Sequence, residues 1–536
     1  MPILSTLIWA PVAAAIVLAF FPNRAQTAIK GWGLFVSTAV FIISLGLLRG
    51  WDDGRAGFQF TEDKPWIADW GIHYSLGIDG ISVWLVLLTT LLTPIIFLAG
   101  WNAIHKHPKE YVIAFLIMET AMIGAFVAID LILFYIFFEL MLLPMYLVIG
   151  VWGGARRIYA AIKFFLFTIA GSLLMLLAII YLGFVAYHQL GEPSFNILDL
   201  YGTQLTPRVQ ALLFFAFSLA FAIKVPLFPL HTWLPDAHVE APTGGSIILA
   251  GVMLKMGTYG FLRFVLPFFP QSSERWATLL ITLSVIGIIY GALVAWVQPD
   301  MKKLVAYSSV SHLGFCVLGI FAMTQTSIEG SILQMVNHGL STGALFLLVG
   351  VIYERRHTRL LADYGGIGKT MPVYATFFII AVLSSVGLPG LNGFVGEFLI
   401  LAGTFKTHPT AAIIAATGVI LAAIYLLWLV QKVFFGPITN EENRHIPDIA
   451  WNEIAAMIPL VVLMVWIGVH PTTFLRKMEP SVQHLMTQIG AEPGGKMMVA
   501  QGGSQAHRRI GSQDRPTTVC EPMSPCASEP RSGGAQ

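Results

Sequence analysis

The sequence predicts an all-α membrane protein, a bundle of about fourteen transmembrane helices. Its residues are 56% hydrophobic and only 11% charged, whereas a soluble domain carries about 25% charged residues. The apolar stretches are roughly 20 residues long and lack the alternating pattern of barrel strands. Because lipid offers the backbone no hydrogen-bond partner, such stretches must be helices. The chain of 536 residues is therefore predicted to form one helical membrane domain.

The fourteen helices are placed between polar breaks, with a tight turn at Asp130 dividing the fourth from the fifth. Helices 1–3 fall in residues 1–110, helices 4–8 in 111–266 and helices 9–13 in 276–435. From residue 486 to 536 the chain is rich in Gly, Ser, Gln and Pro, which predicts a disordered polar tail. The predicted helices cover residues 4–22, 31–48, 80–100, 111–129, 131–150, 163–187, 210–230, 244–266, 276–297, 303–323, 329–352, 373–403, 411–435 and 453–474.

The lysines and arginines of the connecting segments predict the orientation, because cytoplasmic loops are enriched in them. Fifteen fall on one side of the predicted bundle and nine on the other. The richer side is predicted to be cytoplasmic, which places both termini on the outer, periplasmic side of a bacterial inner membrane. The start, MPILSTLIWAP, has no basic segment typical of a cleaved signal, so we expect the first helix to be retained.

Several kinds of chemistry find no support in the sequence. The three cysteines, Cys316, Cys520 and Cys526, form no C-x-x-C pair, so zinc and iron–sulfur ligation are not predicted. No G-x-G-x-x-G follows a strand, so we expect no nucleotide site. This chain is therefore predicted to hold no cofactor and no metal, and its driving energy must come from elsewhere.

The predicted membrane helices contain ionisable residues, of which four are singled out as candidate sites: Glu139, Lys224, Lys255 and Glu397. A charge near the bilayer centre costs at least about 2.5 kcal/mol, and such residues usually face protein or water and mark ion pathways. Two carboxylates and two lysines are the side chains expected of a path for protons or ions. The simpler interpretation of Glu139 is a structural carboxylate that is hydrogen-bonded to a neighbouring helix.

Lys224 precedes three prolines, Pro226, Pro229 and Pro235, which must interrupt the helical hydrogen bonds. Broken membrane helices occur where the backbone is buried in protein or lines a cavity, and they often mark ion sites. The alternative is a lysine that reaches the interface with its long side chain. Lys255 lies half-way along its helix, where such reach is difficult, and burial favours release of its proton.

Glu397 follows a second predicted break, in the glycine-rich sequence SSVGLPGLNGFVGEF. Two broken helices in different parts of a chain indicate an internal repeat around transport sites. We therefore interpret residues 111–266 and 276–435 as the two repeats, although their residues align only loosely.

Three histidines, His231, His312 and His338, lie in or beside the apolar segments. An imidazole can pass a proton between its two nitrogens, but a single buried histidine is as often a packing residue. The segment PLHTWLPDAHVEAPT also brings His231 together with Asp236, His238 and Glu240, a set of residue types that bind metals. We favour a structural turn near the membrane surface, because its prolines make it rigid.

These segments resemble a known family. FAIKVPLFPLHTWLPDAHVEAPTGGSIILAGVMLKMGTYG is similar to the signature of the antiporter-like subunits of respiratory complex I, and MKKLVAYSSVSHLGF and VGLPGLNGFVGEFLIL extend the match. The resemblance covers roughly residues 1–480. It implies fourteen core helices with two inverted five-helix repeats. Glu397 replaces the lysine of several family members, and we expect no long lateral helix such as subunit L carries.

The resemblance also implies roles for the candidate residues. Glu139 would pair with Lys224, Lys255 would be the central lysine, and Glu397 the terminal acid. His231, His312 and His338 would form the polar axis between them. FMN, iron–sulfur clusters and quinone are expected in other subunits, and the expected partners are membrane subunits, especially L and N, the lipid bilayer and protons, with no nucleic acid.

Three rival functions are compatible with parts of this pattern. A multi-subunit cation/proton antiporter would use similar helices, although Glu397 in place of lysine argues against it. A membrane-bound hydrogenase or formate-linked complex would use a similar channel with other partners. A structural membrane anchor is the third, and four buried charges are a costly way to build one.

Overall fold

The computed structural model describes residues 2–490, and most of these residues are helical. The N-terminal segment combines helices with a small hairpin of two strands. It contains α1 (Ile3–Ala19), α2 (Gln26–Ser44), α3 (Gly46–Arg49), β1 (Gln59–Ile67), β2 (Ile72–Ile78) and α4 (Val83–Ala99).

The remaining described residues are helices joined by short connections. The first group contains α5 (Pro108–Val127), α6 (Leu131–Leu140), α7 (Leu142–Trp152), α8 (Arg157–Leu190), α9 (Ile197–Leu200), α10 (Pro207–Lys224), α11 (Trp233–Glu240), α12 (Thr243–Ile248), α13 (Lys255–Gly260) and α14 (Leu266–Phe268). The second group contains α15 (Pro270–Trp296), α16 (Met301–Phe321), α17 (Gln325–Arg356), α18 (Pro372–Val386), α19 (Asn392–Thr407), α20 (Pro409–Phe434), α21 (Trp451–Val469) and α22 (Thr472–Gln488).

Eleven helices within residues 2–490 are long and apolar enough to cross a membrane, and three shorter apolar helices accompany them. The span that ends at Phe268 and α17 are both fully buried inside the protein, whereas α8 and α20 expose much of their surface. The predicted class, a helical membrane protein that crosses the bilayer many times, is confirmed.

The prediction of a purely helical fold is wrong between α3 and α4, where β1 and β2 form an antiparallel pair. In β2 the apolar residues Ile72, Tyr74, Leu76 and Ile78 alternate with small or polar ones, which is the two-residue period of a strand. The hairpin contains no long apolar stretch, so the pattern typical of membrane helices does not reveal it.

Irregular segments interrupt the helices at both predicted breaks. The chain leaves α10 after Lys224, where Pro226 removes a backbone donor, and re-enters a helix at Trp233. It leaves α18 after Val386 at Gly387, whose φ of +84° suits glycine, and re-enters a helix at Asn392. Each break lies beside one of the candidate charges.

The end of the described chain also differs from the prediction. A separate helix, α22, follows α21 and continues to Gln488, beyond the predicted start of the tail at residue 486. Its buried residues Phe474, Met478, Val482 and Leu485 form one stripe of a polar helix, a pattern with a helical period but no continuous apolar stretch. The rest of the predicted disordered tail, residues 491–536, lies outside the described residues.

Candidate functional site

The centre of the candidate site is a contact between two buried side chains on neighbouring helices. Lys255 lies midway along the continuous helical span Thr243–Phe268, in which π-helical turns (Leu249–Met253 and Phe261–Val265) join α12, α13 and α14. His338 lies in the middle of α17. The Lys255 Nζ and His338 Nδ1 atoms are 2.7 Å apart, and Lys255 also donates to the carbonyl oxygen of Ala250. Lys255 is 0% exposed and His338 2% exposed. A charged donor and an imidazole are thus held together away from lipid and water.

A second contact joins α16 to α19. His312 Nδ1 lies 2.8 Å from Glu397 Oε1, and both side chains are buried. Gln334, from α17, donates to the same carboxylate oxygen at 3.0 Å. Glu397 therefore has two partners from two helices, which lowers the cost of burying its charge.

The two contacts are close neighbours. The ring centroids of His312 and His338 are 6.1 Å apart, too far for a direct hydrogen bond but within the span of one bridging water. The structure therefore brings Lys255, His338, His312 and Glu397 into one series across four helices.

Glu139 and Lys224 do not form the predicted ion pair in this structure. Among the described residues, the salt bridges within 4.0 Å do not include this pair, and Lys224 Nζ makes no hydrogen bond. The ammonium lies 5.1 Å from the ring centre of Phe138 and 5.8 Å from that of Phe164. Because Phe138 precedes Glu139 on α6, the lysine packs against the helix that carries its predicted partner.

His231 lies apart from the series. Its ring is stacked on Phe228 and meets Tyr290 edge-on at 5.1 Å. The following segment is the buried helix α11 and not the predicted turn; a helix better satisfies the buried backbone there. Within residues 2–490, no group of three or more His, Cys, Asp or Glu side chains is arranged to hold a metal ion.

Sequence reasoning missed several polar residues around Glu397. Asn337 donates to the carbonyl of Asn392 at 2.7 Å, and Ser384 donates to the Asn392 side chain at 2.5 Å. Gln334 lies four residues before His338, so both occupy one face of α17. That spacing was a signal that could have identified Gln334.

Several further buried charges lie outside the predicted set, among them Lys302, Arg263 and Asp79. Lys302 precedes the predicted helix 303–323, but it lies within α16, is 6% exposed and donates to the carbonyl of Ala241 just after α11. Arg263 pairs with Asp79 at 2.6 Å, and both side chains are buried. The latter pair ties the segment after the hairpin to the end of the Lys255 helix.

Glycines allow the helices that carry Lys255 and His338 to pack closely against each other. A Cβ atom on Gly339 would lie 2.9 Å from the carbonyl oxygen of Gly251 and 2.5 Å from a methyl group of Leu88. Real Cβ atoms are not found at such distances. A larger residue at position 339 would therefore force the two helices apart. One turn along α17, a Cβ on Gly343 would meet only ordinary contacts at 3.8 Å.

Broken helices beside buried charges, and a series of lysine, histidine and glutamate side chains across the bundle, define an antiporter-like, proton-translocating membrane protein. The family model described as NADH:quinone oxidoreductase/Mrp antiporter, TM, matches residues 128–424. The model described as NADH-ubiquinone oxidoreductase chain 4, amino terminus, matches residues 60–129.

Individual relatives agree with these matches. NADH-quinone oxidoreductase subunit M of Rhodobacter capsulatus is 48% identical, covering 92% of this chain and 98% of its own length. NADH-ubiquinone oxidoreductase chain 4 of Arabidopsis thaliana is 47% identical, covering 90% and 97%. A chain of respiratory complex I from Thermus thermophilus superposes with a TM-score of 0.83 at 33% identity, covering 92% of this chain and 100% of its own. The chain belongs to the family of subunit M of NADH-quinone oxidoreductase, the counterpart of mitochondrial chain 4.

Replacing Gly339 by Ala should destabilise the protein, because the new methyl group would push α17 away from Gly251 and Leu88. We expect a loss of about 1–3 kcal/mol, typical of overpacking a tight core, and a lower midpoint of thermal unfolding in detergent. Gly343→Ala is the matched control, since it adds the same methyl group one turn away in open packing. Equal midpoints for the two variants would contradict the close approach as a constraint.

Proposed function

We propose that this chain is a proton-conducting membrane subunit of an NADH:quinone oxidoreductase and has no redox centre of its own. The observation that carries the proposal is the buried series Lys255, His338, His312 and Glu397, which crosses from α13 to α19. Each member can gain or lose a proton, and none is spent on a surface ion pair. A packing role alone would not require four titratable side chains next to one another in space.

The hydrogen bonds support a proton relay that can run in either direction. With Lys255 donating to Nδ1 of His338, the neutral imidazole carries its proton on Nε2. His312 faces the Glu397 carboxylate through Nδ1, so its own Nε2 is an acceptor when the ring is neutral. A donor nitrogen on one ring and an acceptor on the other are complementary, and a transfer between them would use one water.

The Glu139–Lys224 pair would act as the switch for this relay. At 4 Å and an effective dielectric constant of about 20, such a pair is worth roughly 4 kcal/mol, equivalent to about three decades in proton affinity. Closing the pair would hold the charge on Lys224, and opening it would favour release of a proton toward the series. The arrangement seen here, with Lys224 against Phe138, is the open one.

Electron transfer would take place elsewhere in the assembly. We propose that FMN, iron–sulfur clusters and quinone are held by other subunits, and that the neighbouring antiporter-like subunits L and N contact this chain in the bilayer. The relatives named as subunit M or chain 4 of the oxidoreductase support this assignment.

The finer architecture belongs to the same proposal. Fourteen spans would be arranged as two inverted five-helix repeats, residues 111–266 and 276–435, with the breaks at Lys224 and near Glu397 in corresponding positions. With an even number of spans and the fifteen-charge side inside, both termini would lie on the outer side of a bacterial inner membrane.

Replacing Glu139 by Gln should abolish NADH-driven proton pumping and the coupled quinone reductase activity, because an amide cannot exchange a proton or close the ion pair. The measurement is pumping in membranes that carry the variant, with assembly checked on a native gel. Glu192→Gln is the control, since it removes a carboxylate from an exposed loop. Normal pumping in an assembled Glu139→Gln complex would make Glu139 a structural residue.

Replacing His338 by Gln should interrupt the relay, while the oxygen of the new side chain still accepts a hydrogen bond from Lys255. We expect pumping to fall at least tenfold, since the amide cannot pass a proton between two nitrogens. Tyr425→Phe is the paired control, because its hydroxyl is 3.5 Å from His312 Nε2, at the limit of a hydrogen bond. Pumping that falls equally in both variants, or in neither, would place the proton path elsewhere.

The orientation can be tested with the cysteines of the native chain. A membrane-impermeant thiol reagent should label Cys520 or Cys526 in intact spheroplasts, because the C-terminus is proposed to lie outside. Cys316 is 0% exposed and should not react, and a Cys520→Ser, Cys526→Ser chain provides the background. Labelling that requires permeabilised membranes would reverse the proposed topology.

A further inference from the structure

An apolar cavity of about 180 Å³ lies behind the helix that carries His338. Residues of α2, α3, α4, α17, α21 and α22 line it. On α17 the lining residues are Val336 and Leu340, which lie four positions apart and flank His338 on the opposite face. Leu45 and Trp466 also line the cavity and are 40% and 48% exposed. The cavity therefore opens sideways, toward the surface that faces lipid.

The lining leaves little for water to bind. It is formed almost wholly by aliphatic and aromatic groups, and apolar cavities of roughly 150 Å³ stay dry and accept apolar ligands instead. Empty space of this size forfeits the dispersion contacts of every side chain around it. In a bilayer, the apolar group available at a sideways opening is an acyl chain.

The end of the cavity near α22 is polar and positively charged. Lys477 lines it, and its ammonium is 2.8 Å from Asp53. Arg476 approaches the same carboxylate at 3.1 Å. Two cations share one carboxylate, which leaves a surplus positive charge beside the cavity.

Aromatic residues surround this polar end. Trp84 donates to the carbonyl of Phe474 at 3.2 Å, and the rings of Trp84 and Trp466 each pack against Phe474. Tryptophans in membrane proteins concentrate at the level of lipid headgroups. The apolar cavity thus continues into a region with the composition of the membrane interface.

We propose that this cavity binds one anionic phospholipid, with an acyl chain between α4 and α21 and its phosphate beside Lys477 and Arg476. The shape and lining select a chain, and the surplus charge selects an anionic headgroup over a zwitterionic one. The bound chain packs against Val336 and Leu340, so the lipid supports the back of the helix that positions His338. This site is separate from the proposed proton path and does not depend on it.

The test is photo-crosslinking in proteoliposomes of the assembled complex. Phosphatidylglycerol and phosphatidylcholine that carry a diazirine in one acyl chain are compared, and the labelled peptides are identified by mass spectrometry. We expect labelling of peptides from α4 and α21 that is greater with phosphatidylglycerol. Leu87→Trp, which fills the cavity from α4, should reduce this labelling about tenfold.

The charge is tested independently by Lys477→Gln. It should lower the preference for phosphatidylglycerol about fivefold, as expected for about 1 kcal/mol per basic residue near an anionic lipid. Arg208→Gln is the control, because it removes an exposed cation at the start of α10. Arg208 and Lys477 are both proposed to lie on the outer side of the membrane. If Leu87→Trp does not assemble, the preference in Lys477→Gln decides the question.

Three results would overturn the proposal. The first is absence of label from α4 and α21 with either lipid. The second is equal labelling by the two lipids in the unaltered chain, which would describe nonspecific bilayer contact. The third is labelling that appears only when the chain is ended at Gly490, which would assign the cavity to the C-terminal segment of the protein itself.

Discussion

The arrangement of the polar side chains depends on one close approach, between the helix of Lys255 and α17. Gly251 and Gly339 face each other there, and a Cβ on Gly339 would be 2.9 Å from the Gly251 carbonyl. Small residues let membrane helices pack closely where lipid provides no hydrophobic drive for association. The approach holds Lys255 within hydrogen-bond distance of His338, and every other member of the buried series is placed relative to this pair.

The broken helices are stable in a membrane because other protein groups replace the lost backbone hydrogen bonds. At the break before α19, Asn337 donates to the Asn392 carbonyl, and the Asn392 side chain accepts from Ser384. An unsatisfied polar group in lipid would cost several kcal/mol. The asparagines therefore make the irregular backbone tolerable, and the break in turn allows α19 to present Glu397 to His312. Structure and site depend on the same hydrogen bonds.

The candidate charges Glu397 and Lys224 differ in how they are satisfied. Glu397 accepts hydrogen bonds from two helices, whereas Lys224 rests against the rings of Phe138 and Phe164. Aromatic faces stabilise a cation less strongly than a carboxylate does. Of these two charges, Lys224 is therefore the one whose surroundings would change more if a partner such as Glu139 moved. The proposed lipid in the cavity behind α17 would be a second influence on the series, because it packs against the helix that carries His338.

The sequence by itself determined the helical membrane class, the two breaks and the seven candidate residues, because apolar length, proline and buried charge are local signals. It did not predict the hairpin or α22, whose periodic patterns contain no long apolar stretch. Only the tertiary structure decided that Lys255, His338, His312 and Glu397 form one series, that Glu139 and Lys224 are separated here, and that Lys302 is buried within α16. These facts depend on distances between helices far apart in the chain, which packing and glycine contacts set and which no single segment encodes.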